Sequence, residues 1–224
     1  MSVHNILIKS ISYNITRLPA IRVLRALAAT LVFATGVAGC GEKVPRLPAV
    51  GPNDVIVAFG DSLTYGTGAT ESESYPAVLA QLIQRNVVRA GVAGETTSGG
   101  LARLASVIEE HRPALMIVCL GGNDMLRKLD EAQTRNNLRE IIRTIKGQGI
   151  AVVLVGVPKP ALIASAAGYY AEIAKEFAIP YEGKIVTSVL YQPDLKADPI
   201  HPNALGYRRM AEAIAELLRK AGAV

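Results

Sequence analysis

The apolar run VIVAFG at residues 55–60 breaks at Asp61-Ser62 into the glycine-rich stretch LTYGTG. A serine hydroxyl at such a break can act as a nucleophile if three further groups reach it: a base for its proton, a residue that orients the base, and donors for the oxygen that turns negative. The chain holds three histidines, and they are unequal candidates for the base. His4 lies in an amino-terminal segment that reads as a leader. His111 follows Glu109 and Glu110 at the end of a helical period, where an imidazole serves the negative helix end. His201 stands in DPIHPN, between Pro199 and Pro202 and just ahead of the last helical segment. Asp198, three residues earlier, is close enough to accept a hydrogen bond from that imidazole and fix its tautomer. The expected chemistry is nucleophilic catalysis by Ser62 with His201 as its base. Asp61, with the acid already supplied by Asp198, is assigned to structure.

Positioning these residues is the work of alternating short apolar runs and helical periods, the pattern of a parallel sheet covered by helices on both faces. The expected strands are Val55–Phe59, Val87–Ala90, Leu115–Leu120 and Ala151–Val155, with a short fifth near Ile179–Glu182. Tyr75, Val78, Leu79, Leu82 and Ile83 carry a helical spacing behind Ser74 and Pro76. The period returns at Leu101, Leu104, Ala105 and Ile108, at Leu138, Ile141, Ile142 and Ile145, and at Tyr207, Met210, Ile214, Leu217 and Leu218, where Asn203 is the expected cap. In an open parallel sheet the site lies beyond the carboxyl ends of the strands. The polar clusters there are Gly60-Asp61-Ser62-Leu63, Gly91-Val92-Ala93-Gly94-Glu95-Thr96 and Gly121-Gly122-Asn123-Asp124, and they are joined by Asp198-Pro199-Ile200-His201-Pro202-Asn203.

Composition removes several other classes. Of the 24 lysines and arginines, Lys9, Arg17, Arg22 and Arg25 fall in residues 1–39, which contain no acids, leaving 20 basic against 19 acidic side chains in the body. A body so nearly neutral lacks the basic face that nucleic acid requires. Neither a G-x-S-x-G elbow, a P-loop, a G-x-G-x-x-G fingerprint nor an H-E-x-x-H pair occurs. With so few histidines, a catalytic metal site is not expected. Cys40 and Cys119 are too few for a disulfide framework, and Cys119 reads as a buried strand thiol. Residues 26–38 are apolar behind Arg22 and Arg25, too short to span a bilayer comfortably and laid out as a secretory signal. After them, Pro45, Pro48 and Pro52 punctuate an extended tether over residues 40–54.

AFGDSLT, GVAGETT, GGND and DPIHPN, in this order, resemble the four blocks of the SGNH or GDSL-motif hydrolases, in the branch of thioesterases, arylesterases and lysophospholipases. The resemblance runs from Val55 to the carboxyl terminus. It implies a three-layer α/β/α flavodoxin-like fold with a sheet of about five strands over residues 55–224. It also implies a Ser62–His201–Asp198 triad, an oxyanion hole made by the backbone N–H groups of Ser62 and Gly94 and the Asn123 amide, and no cofactor. Glycine at 94 would let substrate approach the backbone, and Asp124 would brace its loop. Leu63, Tyr65, Met125 and Leu126 either face an acyl chain or belong to the core, and Tyr169 and Tyr170 either pack or line the cleft. The segment Pro158–Gly168 looks shorter than in many thioesterase-like relatives, so the acyl group ranges from acetyl to medium length. Val37-Ala38-Gly39-Cys40 resembles a bacterial lipobox, which implies residues 1–39 as signal peptide, lipidation of Cys40 and a membrane-anchored protein in the cell envelope, facing the periplasm or exterior. Expected substrates are short- or medium-chain esters, thioesters, lysophospholipids or acetylated envelope sugars. A binding lipoprotein without catalysis is the alternative from another class.

Overall fold

The computed structural model describes residues 43–159 and 162–224. The expected leader, the lipobox and Cys40 lie outside the described residues. Strands β1 (Val55–Gly60), β2 (Asn86–Gly91), β3 (Leu115–Cys119) and β4 (Ala151–Val155) form where the apolar runs stand, and β1 and β3 are buried almost throughout. A short hairpin of β5 (Pro158–Lys159) and β6 (Leu162–Ala166) follows, then β7 (Tyr181–Glu182). The main sheet is parallel in the order β2-β1-β3-β4-β7. This flavodoxin-like order reverses direction between β1 and β3, and a crevice opens at such a reversal. Gly60 pairs with both Gly91 and Cys119, so β2, β1 and β3 end at one level and their loops share one edge.

The helices are α1 (Ser62–Tyr65), α2 (Tyr75–Ile83), α3 (Thr97–His111), α4 (Gly122–Leu126), α5 (Glu131–Gly147), α6 (Tyr169–Glu176), α7 (Ile185–Tyr191) and α8 (Ala204–Ala221). They cover the sheet on both sides, with α2 packed on α8 and α3 on α5. Leu138, Ile141, Ile142 and Ile145 of α5 are fully buried, as are Tyr207, Met210, Ile214 and Leu218 of α8, so the helical periods do mark the faces turned to the sheet. Asn203 caps α8 by accepting the Gly206 N–H at 3.0 Å. His111 closes α3 beside Glu110, at the edge away from Ser62.

Three features differ from the sequence reading. The fifth strand shrinks to two residues, because only Leu154 and Val155 of β4 have partners there. Within Pro158–Gly168, β5 and β6 pair antiparallel, two short strands for which the sequence reading had no expectation. The expected tether is laid on the domain: residues 43–54 have neither helix nor strand, yet Leu47 and Val50 donate backbone N–H bonds to Ala221 and Ala223. Val50 is buried, Val44 and Leu47 pack on the core, and Arg85 bonds the Val50 carbonyl at 3.1 Å. Prolines prevent regular structure here but not burial of the valines and leucine between them.

Candidate active site

Ser62 opens α1 directly after β1. Asp61 caps this helix, its Oδ1 accepting the Leu63 N–H at 3.0 Å. Across the crevice, the segment 196–202 is clasped by an antiparallel bridge between Lys196 and Pro202 and by the Ala197 N–H on the His201 carbonyl at 2.9 Å. The Asp198 Oδ1 accepts the N–H groups of Ile200 at 2.8 Å and His201 at 2.9 Å. Its Oδ2 lies 2.7 Å from His201 Nδ1, and His201 Nε2 lies 3.0 Å from the Ser62 hydroxyl. Burial pushes the Asp198 carboxyl up, but the bonds from the imidazole and the two N–H groups outweigh it, and the group ends below the ordinary value. An ionised carboxylate can only accept, so Nδ1 carries the ring proton and Nε2 is left to accept the serine's. Sequence spacing brought Asp198 and His201 together; the structure adds Ser62, 139 positions away.

The expected oxyanion donors lie on three loops. Among the described residues, neither the Ser62 nor the Gly94 N–H has a protein acceptor, so both are open to a substrate oxygen. Gly94 has φ +77°, and a Cβ there would meet only the Arg127 side chain, at 3.5 Å. Its left-handed backbone, rather than crowding, is what calls for glycine. Asn123 points its Nδ2 to the Glu95 carbonyl at 2.9 Å and to Asp61 Oδ2 at 3.3 Å. Asp124 is buried and accepts the Thr97 N–H at 2.9 Å and the Thr97 hydroxyl at 2.6 Å, while Asn137 donates to the same hydroxyl at 3.0 Å. Asp124 thus ties α4 to the start of α3, the bracing expected of it.

Supports that no short motif announces complete the frame. Arg103 of α3 pairs with Glu95 through two bonds of 2.7 and 2.5 Å and reaches the Gly60 and Ala90 carbonyls at 3.2 and 3.0 Å, which fixes the loop after β2 on the strand ends. Arg127 holds the Gly94 carbonyl at 2.7 Å, and the Tyr207 hydroxyl bonds the Thr67 carbonyl at 2.8 Å behind α1.

A cavity of about 140 Å³ opens beside Ser62 and His201, with Leu63, Leu126, Val157, Leu190 and Ile200 in its wall. Leu63 and Leu126 therefore face the cavity. Met125 packs against the core, and Tyr65 is exposed. Tyr169 and Tyr170 pack on each other with ring centroids 4.6 Å apart and do not line the cavity; the Tyr170 hydroxyl bonds the Leu120 carbonyl at 2.9 Å. Cys119 is a buried free thiol, as expected.

Fold and site together define the class, an α/β/α serine hydrolase with its groups gathered at the strand ends. The sequence profile of the GDSL-like lipase/acylhydrolase family matches residues 58–209. The chain belongs to that family and is an ester hydrolase. Over 174 residues it is 32% identical to "Thioesterase 1/protease 1/lysophospholipase L1" of Escherichia coli K12, covering 74% of this chain and 84% of that one. It is 31% identical to "Esterase TesA" of Pseudomonas aeruginosa, over 71% and 85% of the two chains. Among solved structures it resembles AlinE4, an SGNH-hydrolase family esterase, with 33% identity, a TM-score of 0.57, and 77% and 98% of the chains covered.

Proposed function

We propose that Ser62 attacks the carbonyl carbon of a carboxylic ester while His201 Nε2 takes its proton, and that Asp198 stabilises the imidazolium so formed. The carbonyl oxygen, now negative, meets the Ser62 and Gly94 N–H groups and the Asn123 amide. His201 gives its proton to the departing alcohol, leaving an acyl-Ser62 ester. Water then repeats the cycle: His201 removes its proton, the acid leaves, and the proton returns to Ser62. The observation that carries this reading is the unbroken line of hydrogen bonds from the Ser62 hydroxyl to the Asp198 carboxylate at the mouth of an apolar cavity. A binding module would have no use for it.

The cavity, about 140 Å³, falls below the ~300–1,000 Å³ of pockets for drug-sized ligands and suits an acetyl or short acyl group. The names of the relatives, esterase and thioesterase/lysophospholipase, support ester or thioester substrates. The protein should hydrolyse p-nitrophenyl acetate and butyrate, with Ser62→Ala and His201→Ala inactive; undiminished hydrolysis by Ser62→Ala would end the proposal.

The lipobox reading supports acylation of Cys40 and a place in the cell envelope. The docked segment at Leu47 and Val50 lies beside the carboxyl end of α8. The mouth lies at the amino end of that helix, about 26 Å away at the helical rise of 1.5 Å per residue. Fatty-acid labelling that persists in Cys40→Ser would contradict the anchor.

A further inference from the structure

Beneath the nucleophile lies a carboxyl that the hydrolytic cycle above leaves unused. Asp61 is 1% exposed. One of its oxygens caps α1 through the Leu63 N–H, and the other faces the Asn123 amide at 3.3 Å. Among the described residues, no lysine, arginine or histidine side chain bonds to it. The titratable groups around it are Glu95 from the loop after β2, Asp124 from α4, Cys119 from β3, Tyr75 from α2 and Tyr207 from α8.

Capping alone does not account for this arrangement, since serine or asparagine caps a helix as well as aspartate and without a buried carboxyl. What aspartate adds is a second oxygen that accepts when ionised. Asn123 Nδ2 thereby meets two acceptors, the Glu95 carbonyl and Asp61 Oδ2. An amide turned over would put its own oxygen against both. The pair of acceptors consequently decides which end of the Asn123 amide presents to the cleft. The longer bond, to Asp61, leaves its hydrogen available to an incoming oxygen.

We propose that Asp61 is a positioning residue for the oxyanion pocket, joining the helix start that presents the Ser62 N–H to the Asn123 amide and holding that amide with its nitrogen rather than its oxygen at the cleft. The proposal rests on the reading of Asn123 as an oxyanion donor. Burial, with Glu95 and Asp124 adding to it against the pull of the Leu63 N–H, pushes the Asp61 carboxyl up to about 7. The acceptor form is accordingly the main one at pH 8.

The test is a double-mutant cycle on the full chain, read as kcat for p-nitrophenyl butyrate at pH 8. Asp61→Asn keeps the capping oxygen and turns a donor toward Asn123; Asp61→Ser keeps a cap and deletes the second oxygen. Each should lower kcat roughly 10- to 100-fold in the native background, with KM within about threefold, because the loss falls on transition-state stabilisation. In an Asn123→Ala background the same changes should lower kcat less than about threefold, since there is no amide left to position. Equal losses in both backgrounds, or no loss in the native one, would overturn the proposal. Full activity in Asn123→Ala alone would instead show that the oxyanion reading itself had failed. Melting temperatures read alongside identify any variant that loses activity by unfolding, and failure of both Asp61 variants to fold would assign the residue to structure alone.

Discussion

Replacing Asp198 by asparagine separates the orientation of the imidazole from the integrity of its loop. Asparagine keeps an oxygen where Oδ1 accepts the Ile200 and His201 N–H groups, so the clasp holds. It puts an NH2 group where Oδ2 lies 2.7 Å from Nδ1. Two donors cannot share that gap, so the ring proton moves to Nε2, and the Ser62 hydroxyl, 3.0 Å from it, loses its acceptor. The same tautomer error behind a buried acid lowers kcat about 10⁴-fold. The Asp198 side chain is 43% exposed, and water offers partial relief. A loss of about 10³-fold is expected, roughly 4 kcal/mol at 1.36 kcal/mol per decade. KM should barely move, because Asp198 does not line the cavity. The assay is kcat and KM for p-nitrophenyl butyrate at pH 8, with a melting curve as control. A variant that folds normally and keeps kcat within tenfold of the native value would refute the assignment of Asp198 as the acid that orients His201.

Other expectations follow from single features of the site. Asn123→Ala should lower kcat by about a hundredfold or more, the roughly 3–4 kcal/mol typical of one lost oxyanion donor, and should also lower the melting temperature, because the Glu95 carbonyl and the buried Asp61 Oδ2 lose their donor. Gly94→Ala forces an L residue into φ +77° and should cost about 1–2 kcal/mol of stability by denaturant titration, together with activity. Asp61 titrates higher in the folded state than in the unfolded chain, so the native state binds the extra proton and stability falls as pH rises between about 4 and 7. The slope, worth up to about 4 kcal/mol in total, should flatten in Asp61→Asn and is read from urea midpoints across that window.

Much of the site was legible because its groups sit in four short blocks at the strand ends, where residue type and neighbours speak for themselves. Ser62, Asp198 and His201 could be named from local sequence, and so could the central strands, whose burial on both faces leaves near-continuous apolar runs. The supporting frame could not. Arg103 and Arg127 each hold another loop through a bond that spacing does not encode, and Asn123 and Asp61 meet across 62 positions. Tyr207 reads as one more apolar position of α8, although its hydroxyl ties down Thr67. The docked tether was missed for a related reason: Val44, Leu47 and Val50 follow no helix or strand period, and only the partners at Ala221 and Ala223 show which surface they cover. β7 is short enough that its apolar neighbour Ile179 extended the expected strand beyond its pairing.

Covalent capture of the nucleophile tests the central claim most directly. The protein treated with a fluorophosphonate, then digested and analysed by mass spectrometry, should carry one adduct, on the peptide containing Ser62, with activity lost in proportion. His201→Ala should label far more slowly, because the base that activates the hydroxyl is gone. Complete inactivation with the adduct on another residue, or a native rate of labelling at Ser62 in His201→Ala, would contradict the account.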